Sequence, residues 1–301
     1  KPCESVKPCE SVKPCESVKP CEFEWFSIDL LRIYLESTCT KKYSIFTYCF
    51  AMSILGNDFL PSSLGLKMRD GGHDHLLHCL TLIGPLIDTD MNIIEQNVIE
   101  LFRVLSQTEY QRIIYYIQGK QRLAKYSTDK ELGENNWPLS QIEQGLLDRN
   151  WAINYTKLVG TSIDNSCQEY INGIKWIWSY YTGKPICYNW FYPYTLPPLW
   201  SNLITYLSNH EKDKYMQLEM PIYVRIEELR PVEQLVLVLP LESWSLIPAC
   251  PEKIVSMIAP QFFPSTFEFE SIGKRFFWEC EAMIPIPTIL ELKALVSAYY
   301  P

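Results

Sequence analysis

No run of 18 apolar residues occurs anywhere in the 301-residue sequence, and even Leu235–Leu241 is soon interrupted by Glu242, so no membrane span is expected. Positive charge is the scarcer sign: 27 basic residues stand against 35 acidic ones, for a net charge of -8 and a pI near 5.2. That balance excludes a protein that grips nucleic acid through a general basic surface, and any such contact must be confined to a groove. Paired cysteine spacing is missing as well. Of 11 cysteines, Cys3, Cys9, Cys15 and Cys21 belong to a repeat and the others are scattered. Neither a zinc ribbon nor a disulfide framework is written, and reduced thiols in an intracellular protein are the expectation. A signal peptide is not expected either, because the sequence opens on polar repeats.

Apolar and aromatic side chains are abundant, 47% and 14% of the chain, enough for one large domain or two smaller ones with a sizeable core. Residues 1–22 spell Lys-Pro-Cys-Glu-Ser-Val three times and then Lys-Pro-Cys-Glu. A proline every six residues permits neither helix nor inner strand, so this segment is expected to be disordered or loosely extended. Its four cysteines could bind metal or act in redox chemistry, but copies this perfect favour recent duplication over a selected ligand geometry.

From Phe23 the pattern turns globular. Ser27 can cap a helix with Leu30, Leu31, Tyr34 and Leu35 as its apolar stripe. The segment Tyr43–Leu55 is apolar on nearly every side and predicts a buried helix. Gly56 suits a left-handed helix stop, Asn57 tolerates the same conformation, and Pro61 cannot continue the helix. Asp58 therefore falls just past a helix C-terminus, where an added anion costs about 0.3 to 1 kcal/mol unless something positive answers it. A bound cation is the natural answer.

Gly71-Gly72-His73-Asp74-His75-Leu76-Leu77-His78-Cys79 concentrates possible metal ligands. On a helix, however, His73 and His75 point about 200° apart, and only His75 and His78 share a face. A helix start with Asp74 near its positive end is the favoured reading, with a zinc site as the alternative. Asp88 and Asp90 read as helix-entry residues before the amphipathic pattern Ile94, Val98, Leu101, Leu105, continuing to Ile113, Ile114 and Ile117. Ser127–Asn150 reads as a long polar loop with a short helix near Ile142. Trp151–Tyr181 reads as helical, ending at Gly183 and Pro185. The aromatics and prolines of Cys187–Pro198 rule out a regular helix there, and rings on an extended backbone serve either as core packing or as a platform for stacking bases. Gln234 reads as a buried hydrogen-bonding anchor. A short hairpin is expected around Gly273, with Lys274 and Arg275 as possible phosphate contacts or as simply solvated charges.

The stretch Leu55-Gly56-Asn57-Asp58-Phe59-Leu60-Pro61 resembles the GNDFLP signature of the Xrn-type 5′-3′ exoribonucleases. Phe23–Leu35 before it, and Trp176–Pro198, Pro231–Pro248 and Phe263–Pro285 after it, resemble family blocks in the family's order. The resemblance implies a mainly α fold, the family's helical domain over 23–301, with a few short strands near the C-terminus and with 23–61 completing the edge of a nuclease domain. It implies RNA with a 5′-monophosphate as substrate, degraded one nucleotide at a time. It also implies a two-ion Mg2+ site, in which Asp58 falls on a catalytic, metal-binding acidic position. Trp190 matches a tryptophan that stacks on terminal bases, whereas Tyr188 and Thr195 stand where the family has tryptophan and histidine. The other acidic ligands belong to an N-terminal nuclease domain whose place is taken here by the repeat. A separate nuclease chain or a longer form is thus the expected partner, and this chain alone is expected to be inactive. The alternative is a non-catalytic remnant or a single-stranded RNA-binding module.

Overall fold

The structure, a computed structural model, describes residues 25–39, 44–124, 146–187, 190–209, 229–247, 262–274 and 277–297. The hexapeptide repeat, the helix expected near Ile142 and Arg275 lie outside the described residues.

The chain is mainly helical, as its periodicity and the family resemblance imply. A 30-residue helix, α4 (Glu95–Ala124), is the spine. Its stripe Val98, Leu101, Leu105, Ile113 and Ile117 is fully buried, because 3.6-residue spacing puts these side chains on one face. Three elements pack along that face: α3 (Gly72–Ile83), α7 (Trp200–Asn209) and a 3-10 turn at Leu64–Leu66. Helices α2 (Ile45–Ile54) and α6 (Ile163–Tyr181) close the main core through Phe50, Ile54, Ile174 and Trp178. A second core joins the far half of α4 to α5 (Trp151–Val159) through Ile113, Ile117 and Tyr155. A third, smaller one holds α8 (Pro231–Val238) against α9 (Ile289–Ser297) through Val236, Leu292 and Val296.

One buried acid ties the spine to α7. Glu109 accepts hydrogen bonds from the Trp200 N–H at 2.8 Å and from the N–H and hydroxyl of Ser201 at 3.4 and 3.3 Å. These are otherwise orphan groups at the start of a helix, where a carboxyl also meets the positive end of the dipole. Burial outweighs those bonds and pushes the Glu109 carboxyl up to about 7.

The expected hairpin is present: β1 (Glu268–Glu270) pairs antiparallel with β2 (Glu281–Met283), with Gly273 in the connection at φ +79°. The first helix, α1 (Ile28–Cys39), is capped by the Ser27 hydroxyl as its sequence predicts, but its stripe stays in solvent, with Leu30 66% and Leu31 55% exposed.

Four sequence expectations need correction. Helix α2 is not buried all round, since Phe46 and Cys49 are exposed while Thr47, Phe50, Ala51 and Ile54 face the core. The helical stretch Trp151–Tyr181 breaks in two, with Gly160 at φ +79° ending α5 and the Ser162 hydroxyl capping α6. Asp88 does not cap α4; it closes its own turn by accepting from the N–H groups of Asp90 and Asn92 at 2.9 and 2.8 Å. Gln234 is exposed, and its neighbour Glu233 is the buried polar residue of α8, bonded to the Arg230 N–H at 2.6 Å and guanidinium at 2.9 Å. One residue of helix rotates a side chain by about 100°, which is enough to exchange the anchor for its neighbour.

Candidate functional site

The turn after α2 is built by three residues acting locally. Gly56 sits at φ +99°, and a Cβ added there would lie 2.5 Å from Ser62 Cβ, so any other residue would meet both backbone strain and a clash. Asn57 then folds the chain over itself: its side-chain oxygen accepts from the N–H groups of Phe59 and Leu60 at 2.9 and 3.0 Å, and its own N–H donates to the Leu60 carbonyl at 3.0 Å. Asp58 is left at the tip of this turn. It is exposed, and among the described residues it makes no hydrogen bond or ion pair. The residue after it turns the other way. Phe59 lies 4.8 Å from Trp176 and 5.5 Å from Tyr180, with Trp176 and Tyr180 stacked at 5.4 Å, while Leu60 is buried in the main core. The open acid is thus fixed on a rigid base.

Asp58 and Lys274 line one cleft of about 840 Å³. Lys67 and the 3-10 turn Met68–Asp70 line its floor, and together with the preceding turn Leu64–Leu66 they are held to the spine by the Arg112 guanidinium, which donates to the carbonyls of Gly65 and Asp70. One wall is the end of α4, with Tyr115, Tyr116 and Lys120, and the other is the hairpin connection with Gly273 and Glu279. Five cationic side chains face this space, Lys67, Arg69, Lys120, Arg122 and Lys274, against the acids Asp58, Asp70 and Glu279. Arg69 pairs with Glu279 at 2.7 Å, and Lys274 pairs with Glu281. Lys67 donates to the Ser62 hydroxyl at 2.6 Å. Its ammonium is pushed down to about 8, first by burial and then by the neighbouring charge of Lys274.

Trp190 does not line the cleft but stands behind its rim. Its indole N–H donates to Glu169 at 3.0 Å, its ring lies 5.7 Å from that of Trp176, and it crowds Gly173 from the same side as Leu60. The sequence-predicted residues therefore divide: Asp58 and Lys274 come together, Trp190 joins them indirectly through Leu60, and Arg275 lies outside the described residues.

The residues that sequence reasoning missed are Lys67 and Lys120. Lys67 sits in a short loop between Leu66 and Met68 with no pattern to mark it, and Lys120 is a buried cation three residues past Ile117, where the stripe of α4 calls for an apolar side chain. The histidines do not converge: His73 contacts Tyr48 at 3.3 Å, His75 contacts Thr108 at 2.9 Å, and His78 is exposed.

A pair of divalent ions needs several carboxylates around it. Among the described residues no three His, Cys, Asp or Glu side chains gather into a ligand set, and Asp58 faces a cleft in which cations outnumber acids. The described residues do not by themselves fit a Mg2+ pair; Asp58 can offer it one carboxylate. No helix among them is long and apolar enough to cross a membrane.

Comparison with known proteins agrees with the family resemblance. Residues 154–299 match the family described as the Xrn1 helical domain. The 5′-3′ exoribonuclease 2 homolog of Drosophila melanogaster is 23% identical over 92% of this chain and 38% of its own length. The 5′-3′ exoribonuclease 2 of Arabidopsis thaliana is 33% identical over 60% of this chain and 18% of its own length. The 5′-3′ exoribonuclease 1 of Homo sapiens is 31% identical over 43% of this chain and 7% of its own length. The chain thus spans less than two fifths of each of these relatives.

Proposed function

Because this chain belongs to the Xrn-type 5′-3′ exoribonuclease family, through its helical domain, we propose that it is the helical part of an enzyme that hydrolyses 5′-monophosphorylated RNA from the 5′ end. The observation that carries the reading is Asp58: an acid in the stretch that resembles the family signature, exposed, unpaired among the described residues, and presented by a turn that Asn57 closes and Leu60 anchors in the core. In this reading Asp58 supplies one carboxylate to a Mg2+ site, the remaining ligands coming from the nuclease half. Trp190 and the Phe59–Trp176–Tyr180 cluster make a connected aromatic wall outside the cleft lining, and in this reading terminal bases stack on Trp190. The nuclease half is a partner, in a separate chain or a longer form.

The second reading, a non-catalytic module that holds single-stranded RNA, is favoured by one observation: the cleft beside Asp58 has more cations than acids. Incubation of the purified chain with 5′-phosphorylated RNA and Mg2+, alone and mixed with a candidate nuclease half, separates the two. Release of mononucleotides only on mixing supports the enzyme. RNA retention without release in every mixture supports the module.

A further inference from the structure

We infer that Lys67, Lys274 and Lys120 form a seat for one phosphate group in the cleft beside Asp58, with single-stranded RNA as its source. The three lysines come from different elements. Lys67 lies between the two 3-10 turns, Lys120 near the end of α4 and Lys274 in the hairpin connection. Their meeting is therefore a product of the tertiary fold. The Lys67 ammonium packs against the hairpin itself, 3.5 Å from where a Cβ on Gly273 would stand. A side chain larger than hydrogen at that position would compete for the space beside it.

Charge makes this cluster a site. The chain as a whole carries -8, yet this cleft gathers five cations and three acids. Its acids are partly committed already: Glu279 pairs with Arg69, and Glu281, next along the hairpin, pairs with Lys274. Among the described residues Lys67 has no carboxylate at ion-pair distance and only the Ser62 hydroxyl as acceptor. An ammonium held among like charges in a half-buried cleft destabilises the fold until an anion arrives. The groups whose charge bears on it are Lys274 and Lys120, which push its proton off, and Glu279 and Asp70, which hold it on. A phosphate has the charge and acceptor oxygens to take several lysine donors at once. The cleft has room for the nucleotide attached to it.

The choice of RNA rests on the proposed function, but the seat does not, so the two are tested by different readouts. In the first, the side-chain 15N resonance of Lys67 is followed through a pH titration of the full chain. The conditions are chloride alone, added inorganic phosphate, and a short single-stranded RNA with or without a 5′-phosphate. The expected result is a midpoint near 8 in chloride that moves up by roughly one unit or more when phosphate or either RNA is present. Movement with inorganic phosphate but not with RNA keeps the seat and overturns RNA as its source; movement with neither overturns the seat. In the second, Lys67→Gln is expected to weaken RNA retention at low salt about threefold to tenfold and to reduce the salt slope by roughly 0.7, the loss of one single-strand phosphate contact. An unchanged slope in a folded variant overturns it. Neither readout requires turnover.

Discussion

Glu109 and Asp58 are both carboxylates beside a helix terminus, and the fold treats them in opposite ways. Glu109 is buried at the start of α7, where its oxygens meet two backbone N–H groups and a hydroxyl. Asp58 is exposed four residues past the last residue of α2, at the terminus where carbonyl groups already make the field negative. The first acid completes hydrogen bonds that the fold needs. The second is exposed and makes no hydrogen bond or ion pair among the described residues, so the pair separates an acid that serves the fold from one open to solvent.

Removing the stabilising acid should produce the largest change in folding. Glu109→Ala leaves the Trp200 N–H without its acceptor in the core and should cost about 2 to 4 kcal/mol in urea unfolding. The same residue gives the comparison a pH signature. Its carboxyl holds a proton up to about 7 when folded and to its ordinary value of 4.5 when unfolded, so the folded state binds the proton more tightly. Stability from this group is therefore fullest below about 4.5 and falls as pH rises to about 7, by roughly 3 kcal/mol. Glu109→Gln should remove that slope while keeping an acceptor for Trp200; an unchanged slope would place its origin elsewhere.

A change between the two regions comes next in size. A Cβ at Gly173 would lie 2.6 Å from Leu60 and 2.7 Å from Trp190, so Gly173→Ala should cost about 1 to 3 kcal/mol and shift the turn that carries Asp58. Thermal unfolding measures the cost, and a loss of RNA retention beyond it would show that the aromatic wall and the cleft work together. Lys67→Met should raise the melting temperature at pH 7, because the folded state holds that proton less tightly than the unfolded chain. The gain should shrink as pH rises from about 8 toward 10.5. The smallest effect belongs to Asp58: Asp58→Asn should leave stability within about 0.5 kcal/mol, with any change a gain, since it removes an anion from a helix C-terminus.

The same contrast shows how much the sequence could say. The stop after α2, the α4 stripe and the hairpin around Gly273 were legible because each is written in neighbouring residues: Gly56 and Asn57, the spacing Val98–Leu101–Leu105, and Gly273 between two short strands. The resemblance to a family signature singled out Asp58. Glu109 was not legible, because nothing nearby reveals that α7 would begin against it 91 residues later. Lys67 and Lys120 share that difficulty, reaching the cleft beside Lys274 only through tertiary packing. The stripes of α1 and α4 have the same period, yet one is exposed and the other buried. Periodicity names the face that seeks cover and does not say what covers it.

Turnover of 5′-phosphorylated RNA by this chain combined with a nuclease half, measured for the natural sequence and for Asp58→Asn on samples of matched melting temperature, tests the central claim most directly. The account predicts that mononucleotide release falls by at least about a hundredfold while folding is unchanged. Release at the natural rate by the Asp58→Asn chain would contradict it.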